Sequence, residues 1–235
     1  MELVACPYDV DDVRLTGFLA DGATRGSAPG ILVAHEAPGL TAHVKERARI
    51  LAERGYIALA LDMYGQAGLS IDEARKHSSR LMADAALMRR RARAALDLLA
   101  SHPHCDSAKL AVIGFCLGGI VALELARDRA PIRCAVGFHP GLMRPTGSAS
   151  GPITAKVLMM IGDDDPVVPA EDRASFAQEM KDAGADWQLH VFGGVGHSYT
   201  NREIDAMGMT GFAYNASADD RAWKLMLSLF DEALT

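Results

Sequence analysis

The chain has 235 residues, a net charge of −6 and a pI near 5.7, with 49% hydrophobic and 23% charged residues. These values are ordinary for a globular protein, and the acidic balance argues against a nucleic-acid partner, which needs a basic surface. The arginine cluster at positions 89–91 and 93 falls in a helical stretch and is expected to form a solvated face.

Cysteine use and hydropathy predict a soluble, cytoplasmic protein. The four cysteines form no CxxC pair and have no metal-ligand spacing with histidines, so we expect reduced thiols and neither a metal nor an organic cofactor; they are Cys6, Cys105, Cys116 and Cys134. No signal peptide is evident at the amino terminus. The longest apolar run, Leu110 to Leu123, contains three glycines and is too short to span a bilayer.

Short apolar runs alternate with helical patterns along the chain. The predicted strands are Val10–Leu19, Gly30–Ala34, Tyr56–Leu61, Lys109–Gly114, Cys134–Phe138, Lys156–Ile161 and Trp187–Phe192. The predicted helices are Ala42–Arg54, Ile71–Ala100, Leu117–Arg127, Ala170–Ala183 and Asp219–Ala233. Continuous apolar strands separated by helices predict an α/β fold with a mostly parallel sheet covered on both faces, built as a single domain over residues 1–235.

A glycine-framed cysteine follows one of these strands. In Gly114-Phe115-Cys116-Leu117-Gly118-Gly119, the cysteine stands between a strand and a helix, which is the context of a nucleophile elbow in an α/β-hydrolase. Such a turn exposes the nucleophile, and the amides and dipole of the following helix favour a thiolate. The N–H of Leu117 is placed to bind an oxyanion. Alone, the motif is also compatible with a buried structural cysteine.

The partners required by an elbow nucleophile follow in the expected chain order, acid and then histidine. The acid comes from Asp163-Asp164-Asp165, and we choose Asp165 because Pro166 holds it in an extended conformation. The histidine is His197, in a glycine-rich loop after a strand. His139 also follows a strand and is expected to line the pocket. The predicted catalytic residues are therefore Cys116, Asp165 and His197.

Taken together, these motifs resemble those of the dienelactone hydrolase family, the carboxymethylenebutenolidases, over nearly the whole chain. The motifs are His35-Glu36 with Gly39, Asp62-Met63-Tyr64, Gly114-x-Cys116-x-Gly118-Gly119, Asp165-x-x-Val168-Pro169 and Gly196-His197-Ser198-Tyr199. The resemblance implies an α/β-hydrolase fold with the triad named above and an oxyanion hole at the amides of Leu117 and Ala37. It also implies that Glu36 holds the resting thiol and yields it to the histidine when substrate arrives.

The resemblance extends to the substrate pocket, where Tyr64 matches a pocket tyrosine and Tyr199 and Arg202 are further candidates. Dienelactone-specific members use two arginines to hold the substrate carboxylate. One should follow the histidine by four residues, where this chain has Asn201, with Arg202 one place late; Arg75 and Arg80 are candidates for the other. A neutral or aryl ester is therefore at least as plausible a substrate as an anionic dienelactone.

The sequence predicts a hydrolase of carboxylic ester or lactone bonds that acts through a thioester on Cys116. Activated aryl esters and organophosphate triesters are alternative substrates, because a soft thiolate beside fixed donors can also attack phosphorus. Two alternatives of other classes are a non-catalytic thiol redox sensor and an inactive binding protein on the same fold. A small-molecule substrate is the expected partner, with no membrane partner, and the protein is expected to be a monomer or a homodimer.

Overall fold

The computed structural model, which describes residues 1–24, 26–149 and 151–235, contains one eight-stranded sheet. Its strands are β1 Val4–Val10, β2 Val13–Asp21, β3 Ala28–Ala34, β4 Ile57–Ala60, β5 Cys105–Phe115, β6 Cys134–Phe138, β7 Lys156–Gly162 and β8 Trp187–Phe192. Their order across the sheet is β1-β2-β4-β3-β5-β6-β7-β8. All pairings among β3 to β8 are parallel, while β1 and β2 are antiparallel to their neighbours.

Helices cover both faces of the sheet. They are α1 Ala42–Ala52, α2 Ile71–Met82, α3 Ala85–Ala100, α4 Leu117–Arg127, α5 Ala170–Asp182 and α6 Ala216–Ala233, with a short 3₁₀ helix at Arg202–Met207. Successive strand residues point to opposite faces. Thus Leu32 belongs to the apolar core that α3, α4 and α5 share, whereas Ile31 and Val33 belong to the core on the other face, which α1 and α6 share. This arrangement confirms the predicted mostly parallel sheet between two helical layers.

The amino-terminal strand differs from the prediction. The sequence pattern predicted one strand over Val10–Leu19, but the structure has a hairpin in which β1 pairs antiparallel with β2. Asp11 lies in the tight turn with φ of 52°. Pro7 breaks the strand pattern, and it is tolerated because β1 is an edge strand, where a missing N–H leaves no ladder bond unmade.

The long helix predicted over Ile71–Ala100 is two helices. Asp84 adopts an extended conformation and accepts a hydrogen bond from the N–H of Leu87, which caps α3. A distant loop reaches this break, where Thr146 exchanges backbone hydrogen bonds with Met82 and Ala85 at 2.8 and 3.0 Å. The helix divides because these tertiary bonds satisfy backbone groups that a continuous helix would have paired internally.

The parallel arrangement places the polar residues that follow the strands at one edge of the sheet. They are His35 and Glu36 after β3, Asp62 after β4, Cys116 after β5, His139 after β6, Asp165 after β7 and His197 after β8. Within the described ranges, none of the helices is both long enough and apolar enough to cross a bilayer.

Candidate active site

Cys116 occupies a strained turn between β5 and α4. Its φ and ψ are 52° and −113°, a conformation that side-chain-bearing residues rarely adopt. Two backbone hydrogen bonds of 3.0 Å hold it, from its own N–H to the carbonyl of Phe138 and from the N–H of Gly119 to its carbonyl. The side chain is half-buried, so the thiol remains reachable from solvent. Leu117 is the first residue of α4, and its N–H therefore has no carbonyl partner within the helix.

The glycines around Cys116 are required by close backbone packing. A Cβ on Gly114 would lie 1.9 Å from the carbonyl oxygen of Gly118, and a Cβ on Gly118 would lie 2.2 Å from that of Ala34. Both distances are far below van der Waals contact. Only glycine therefore allows β3, β5 and the first turn of α4 to approach closely enough to form this turn.

Asp165 and His197 meet through a hydrogen bond of 2.7 Å between Oδ2 and Nδ1. The other carboxylate oxygen of Asp165 accepts the N–H of Val167 at 2.8 Å. The backbone of His197 is itself fixed, because its N–H donates to the carbonyl of Gly211 and its carbonyl accepts the N–H of Ala213. An ionised carboxylate only accepts, so Nδ1 carries a proton and Nε2 is the atom free to exchange one.

The neighbouring aspartates have different surroundings. Asp163 is exposed and forms an ion pair of 2.7 Å with Arg173, and Asp164 is also exposed. Asp165 is buried. Of the three carboxylates considered from the sequence, the structure brings only Asp165 to the histidine.

The imidazole of His197 is held in a strongly perturbed state. Burial alone would lower its pKa, but the charge of the Cys116 thiolate and the hydrogen bond to Asp165 outweigh burial and raise the pKa to about 10. Nε2 is buried and makes no hydrogen bond of ordinary geometry to any described residue. A proton on Nε2 is therefore stabilised chiefly by the neighbouring sulfur.

His139, which the sequence predicted at the substrate pocket, packs against His197, and Tyr199, a second pocket candidate, packs against His139. Both side chains are fully buried. His139 Nε2 bonds Thr200 Oγ1 at 2.8 Å, and the Tyr199 hydroxyl donates to the carbonyl of Met160. The His139 ring lies edge-on to those of His197 and Tyr199, each at 5.1 Å. Burial, followed by the positive charges of His197 and Arg47, holds the pKa of His139 well below its usual value, so His139 is a neutral support.

Tyr64 lies near Cys116 at the carboxyl edge of the sheet. Its hydroxyl donates to the carbonyl of Ala37 at 3.0 Å, and its ring stacks on His77 with centroids 4.8 Å apart. Burial, and then the charges of Cys116 and Asp62, raise the pKa of its phenol, so the hydroxyl stays protonated as a donor. The contact holds the carbonyl of Ala37, the residue whose own N–H is the second expected oxyanion donor.

Glu36 is buried and is held by residues other than the thiol. Its Oε2 accepts from Asn201 Nδ2 at 2.9 Å and lies 3.2 Å from His43 Nδ1. Arg47 Nε donates to His43 Nε2 at 3.2 Å. Because a guanidinium cannot accept, His43 Nε2 must be the acceptor, and its Nδ1–H therefore donates to Glu36. In this structure the carboxylate is turned towards these two donors, and no hydrogen bond joins it to Cys116 within the described ranges.

His43 and Arg47 were not among the site residues predicted from the sequence. Neither follows a strand; both lie on α1, and Arg47 reaches across to Asp219 and to the carbonyl of Thr200. The one available signal was the spacing of His43 seven residues after Glu36, across the loop that leads into α1.

The arginines predicted to hold a substrate carboxylate are exposed on the surface. Arg202 is exposed and lies over the ring of Tyr214 at 5.1 Å. Arg75 is exposed and 3.8 Å from Asp72, and Arg80 is exposed on the same helix. Asn201, at the position where an arginine was expected, is engaged with Glu36.

An open, mostly parallel sheet with a strained strand–nucleophile–helix turn at its carboxyl edge defines an α/β-hydrolase. The sequence model of the dienelactone hydrolase family matches residues 15–234. The chain belongs to this family and is accordingly a hydrolase of the type that acts on ester and lactone bonds.

Individual relatives agree with this assignment. A probable 2-oxo-3-(5-oxofuran-2-ylidene)propanoate lactonase of Bradyrhizobium is 28% identical over 88% of this chain and 84% of its own. A solved dienelactone hydrolase-like promiscuous phosphotriesterase from metagenomic libraries is 39% identical, with a TM-score of 0.92 over 99% of both chains. A putative dienelactone hydrolase of Klebsiella pneumoniae, 22% identical with a TM-score of 0.77 over 98% of this chain and 99% of its own, shares the fold.

Proposed function

We propose that the protein is a cysteine hydrolase of carboxylic ester or lactone bonds, with Cys116 as nucleophile, His197 as base and Asp165 as its positioning acid. One observation carries the proposal. The half-buried sulfur of Cys116 stands at a strained turn beside a buried imidazole whose Nε2 has no ordinary hydrogen-bond partner among the described residues and whose Nδ1 is held by Asp165. A buried polar atom without a partner is costly, and a reacting group at that position offsets the cost.

The reaction begins as the Cys116 proton passes to Nε2 of His197. The sulfur then forms a bond to the substrate carbonyl carbon while the carbonyl π electrons move to oxygen. The amides of Leu117 and Ala37 bind this oxyanion. When the carbonyl re-forms, the carbon–oxygen bond to the alcohol breaks, and the alkoxide takes the proton from His197. The product of this half-reaction is a thioester on Cys116 and a free alcohol, or a ring-opened chain when the substrate is a lactone.

Water completes the cycle. His197 accepts a proton as water attacks the thioester, and the thiolate leaves and is reprotonated when the acid is released. Neutral esters suit this site better than anionic lactones, because Asn201 replaces an arginine and is engaged with Glu36. Glu36 is the group proposed to hold the resting thiol, and its present contacts with His43 and Asn201 correspond to the state in which the thiol is released to His197.

Aryl phosphotriesters are a second candidate substrate class. The observation that favours them is the 39% identity, over 99% of both chains, to a promiscuous phosphotriesterase. The thiolate would attack phosphorus and expel the aryloxide, and water would then cleave the sulfur–phosphorus bond.

The test is a substrate panel of p-nitrophenyl esters, cyclic lactones and aryl phosphotriesters, run on wild type, Cys116→Ala and the matched thiol control Cys6→Ser. We expect Cys116→Ala to lose several orders of magnitude in kcat on every active substrate and Cys6→Ser to retain wild-type rates. Mass spectrometry of the quenched enzyme should show the acyl group on Cys116. Retention of turnover by Cys116→Ala would exclude Cys116 as nucleophile, and oxidation of Cys116 without any turnover would favour the redox sensor.

A further inference from the structure

Three metal-ligand side chains meet at the edge of the sheet opposite Cys116. Asp21 ends β2, where it pairs with Ile57 at the start of β4. His102 and His104 lie between α3 and β5, next to Cys105, which pairs with Ala28 at the start of β3. One ligand atom from each of Asp21, His102 and His104 lies within 4.8 Å of the other two. Among the described residues, this is the one group of three such side chains with that spacing.

The backbone holds these side chains in place without an ion. The Oδ1 atom of Asp21 accepts the N–H of Ala23 at 2.9 Å, which leaves Oδ2 facing His104 Nδ1 at 2.6 Å. The carbonyl of His104 accepts the N–H of Ala28 at 2.8 Å, and that of His102 accepts the N–H of Cys105 at 2.9 Å. Two secondary-structure junctions are thus fixed so that one carboxylate and two imidazoles converge.

We propose that Asp21, His102 and His104 form a binding site for a divalent transition-metal ion of the zinc type, separate from the catalytic edge. Two imidazoles and one carboxylate are a donor set that zinc, cobalt and nickel accept, whereas magnesium and calcium prefer oxygen ligands alone. Ligand bonds of about 2.0–2.1 Å in a tetrahedron place ligand atoms about 3.4 Å apart, so small side-chain rotations convert the observed cluster into a coordination shell. Water would fill the remaining position, because His104 is exposed and the other two are half-buried.

The neighbouring thiol does not take part in the cluster. The sulfur of Cys105 lies against Gly30, and Cys105 is not among the three side chains that converge. The ion would connect the end of β2 to the α3–β5 turn. It would stabilise the folded state, because only the folded chain brings the three ligands together.

The experiment uses untagged protein carrying Cys116→Ala, because the Cys116 thiolate and His197 would otherwise compete for soft metals. Zn²⁺ is titrated against a chromogenic chelator, and Co²⁺ binding is followed by its visible absorption. We expect one ion per chain near neutral pH, loss of binding in acid because a protonated imidazole cannot bind a metal ion, and no competition by excess Mg²⁺.

Adding Asp21→Asn, His102→Ala or His104→Ala should weaken Zn²⁺ binding at least about tenfold and abolish the Zn²⁺-induced rise in Tm. The matched control His190→Ala, a histidine bonded to Gln188 on β8, should leave both unchanged. Folding of each variant is checked by its Tm without metal. The proposal would be overturned if the parent protein bound no stoichiometric Zn²⁺, or if the three cluster variants bound Zn²⁺ as tightly as the parent protein.

Discussion

Asp165 and His197 are 32 positions apart in the chain, yet their side chains meet at 2.7 Å, whereas Asp163, two residues before Asp165, faces solvent and pairs with Arg173. The loop that follows β8 can approach the end of β7 closely because Gly162, the last residue of β7, has no side chain. A Cβ there would lie 1.9 Å from the carbonyl oxygen of Val195. The orientation of the imidazole therefore depends on one carboxylate and on the backbone packing that places it.

Asp165→Asn should lower kcat by three to four orders of magnitude, about the loss seen when a triad acid is replaced by its amide. An amide NH₂ facing Nδ1 favours the wrong tautomer and cannot stabilise the imidazolium. Asp163→Asn, the matched control, should retain near wild-type kcat on the same p-nitrophenyl ester. Equal losses at the two positions would remove Asp165 from the proposed site.

The pKa of His197 should fall when the sulfur is removed. In Cys116→Ala, burial still lowers the pKa, and only Asp165 remains to raise it, so we expect a value well below 10 by NMR titration of the imidazole. A raised folded-state pKa stabilises the protein fully below the unfolded value of about 6.5, and this stability is lost as pH rises towards 10. Wild type should therefore lose more unfolding free energy over that interval than Cys116→Ala. Superimposable pH profiles would show that the sulfur of Cys116 does not raise the pKa of His197.

Gly118→Ala should destabilise the elbow by about 2–3 kcal/mol, because the new Cβ would collide with the backbone of Ala34. The matched control is Gly193→Ala, where nothing lies within 4 Å of the added Cβ and the change should stay within about 0.5 kcal/mol. Urea unfolding of the two variants provides the measurement. A Gly118→Ala protein as stable as wild type would show that the turn can relax.

Asn201→Ala should slow alkylation of Cys116 by iodoacetamide severalfold. Without the Nδ2 donor, the Glu36 carboxylate is freer to turn to the thiol and hold it in the neutral form. The control is the same change in a Glu36→Gln background, where the effect should vanish because no carboxylate remains to move. An effect of equal size in both backgrounds would mean that Asn201 acts independently of Glu36.

A neutral aryl ester should be hydrolysed with a kcat/KM at least about tenfold higher than that of a matched anionic ester. Burying a carboxylate without a cationic partner costs several kcal/mol, and Arg202 lies exposed over Tyr214. The pair is compared at low and high salt. A preference for the anion that fades with salt and disappears in Arg202→Ala or Arg80→Ala would instead indicate a carboxylate-binding arginine.

The sequence by itself determined the fold and the order of the candidate catalytic residues. Apolar strands, the glycines around Cys116 and the proline after Asp165 are local signals. They depend on the local backbone conformation and on the periodicity of apolar residues, and both are set by residues close together in the chain. The hairpin of β1 with β2 and the break at Asp84 escaped prediction, because a distant strand or loop supplies the backbone partners there.

Only the tertiary structure decided which polar side chains touch. His43 contacts Glu36, and the Tyr199 side chain is buried in the core, because α1 and the His197 loop pack around the carboxyl edge of the sheet. Asp21 contacts His104, 83 positions away in the chain, because the packing of strands and helices brings them together at the opposite edge of the sheet. Such contacts depend on strand order and crossover geometry. Short-range sequence patterns do not encode these, because the free energy that selects them comes from burying the whole sheet between its helices.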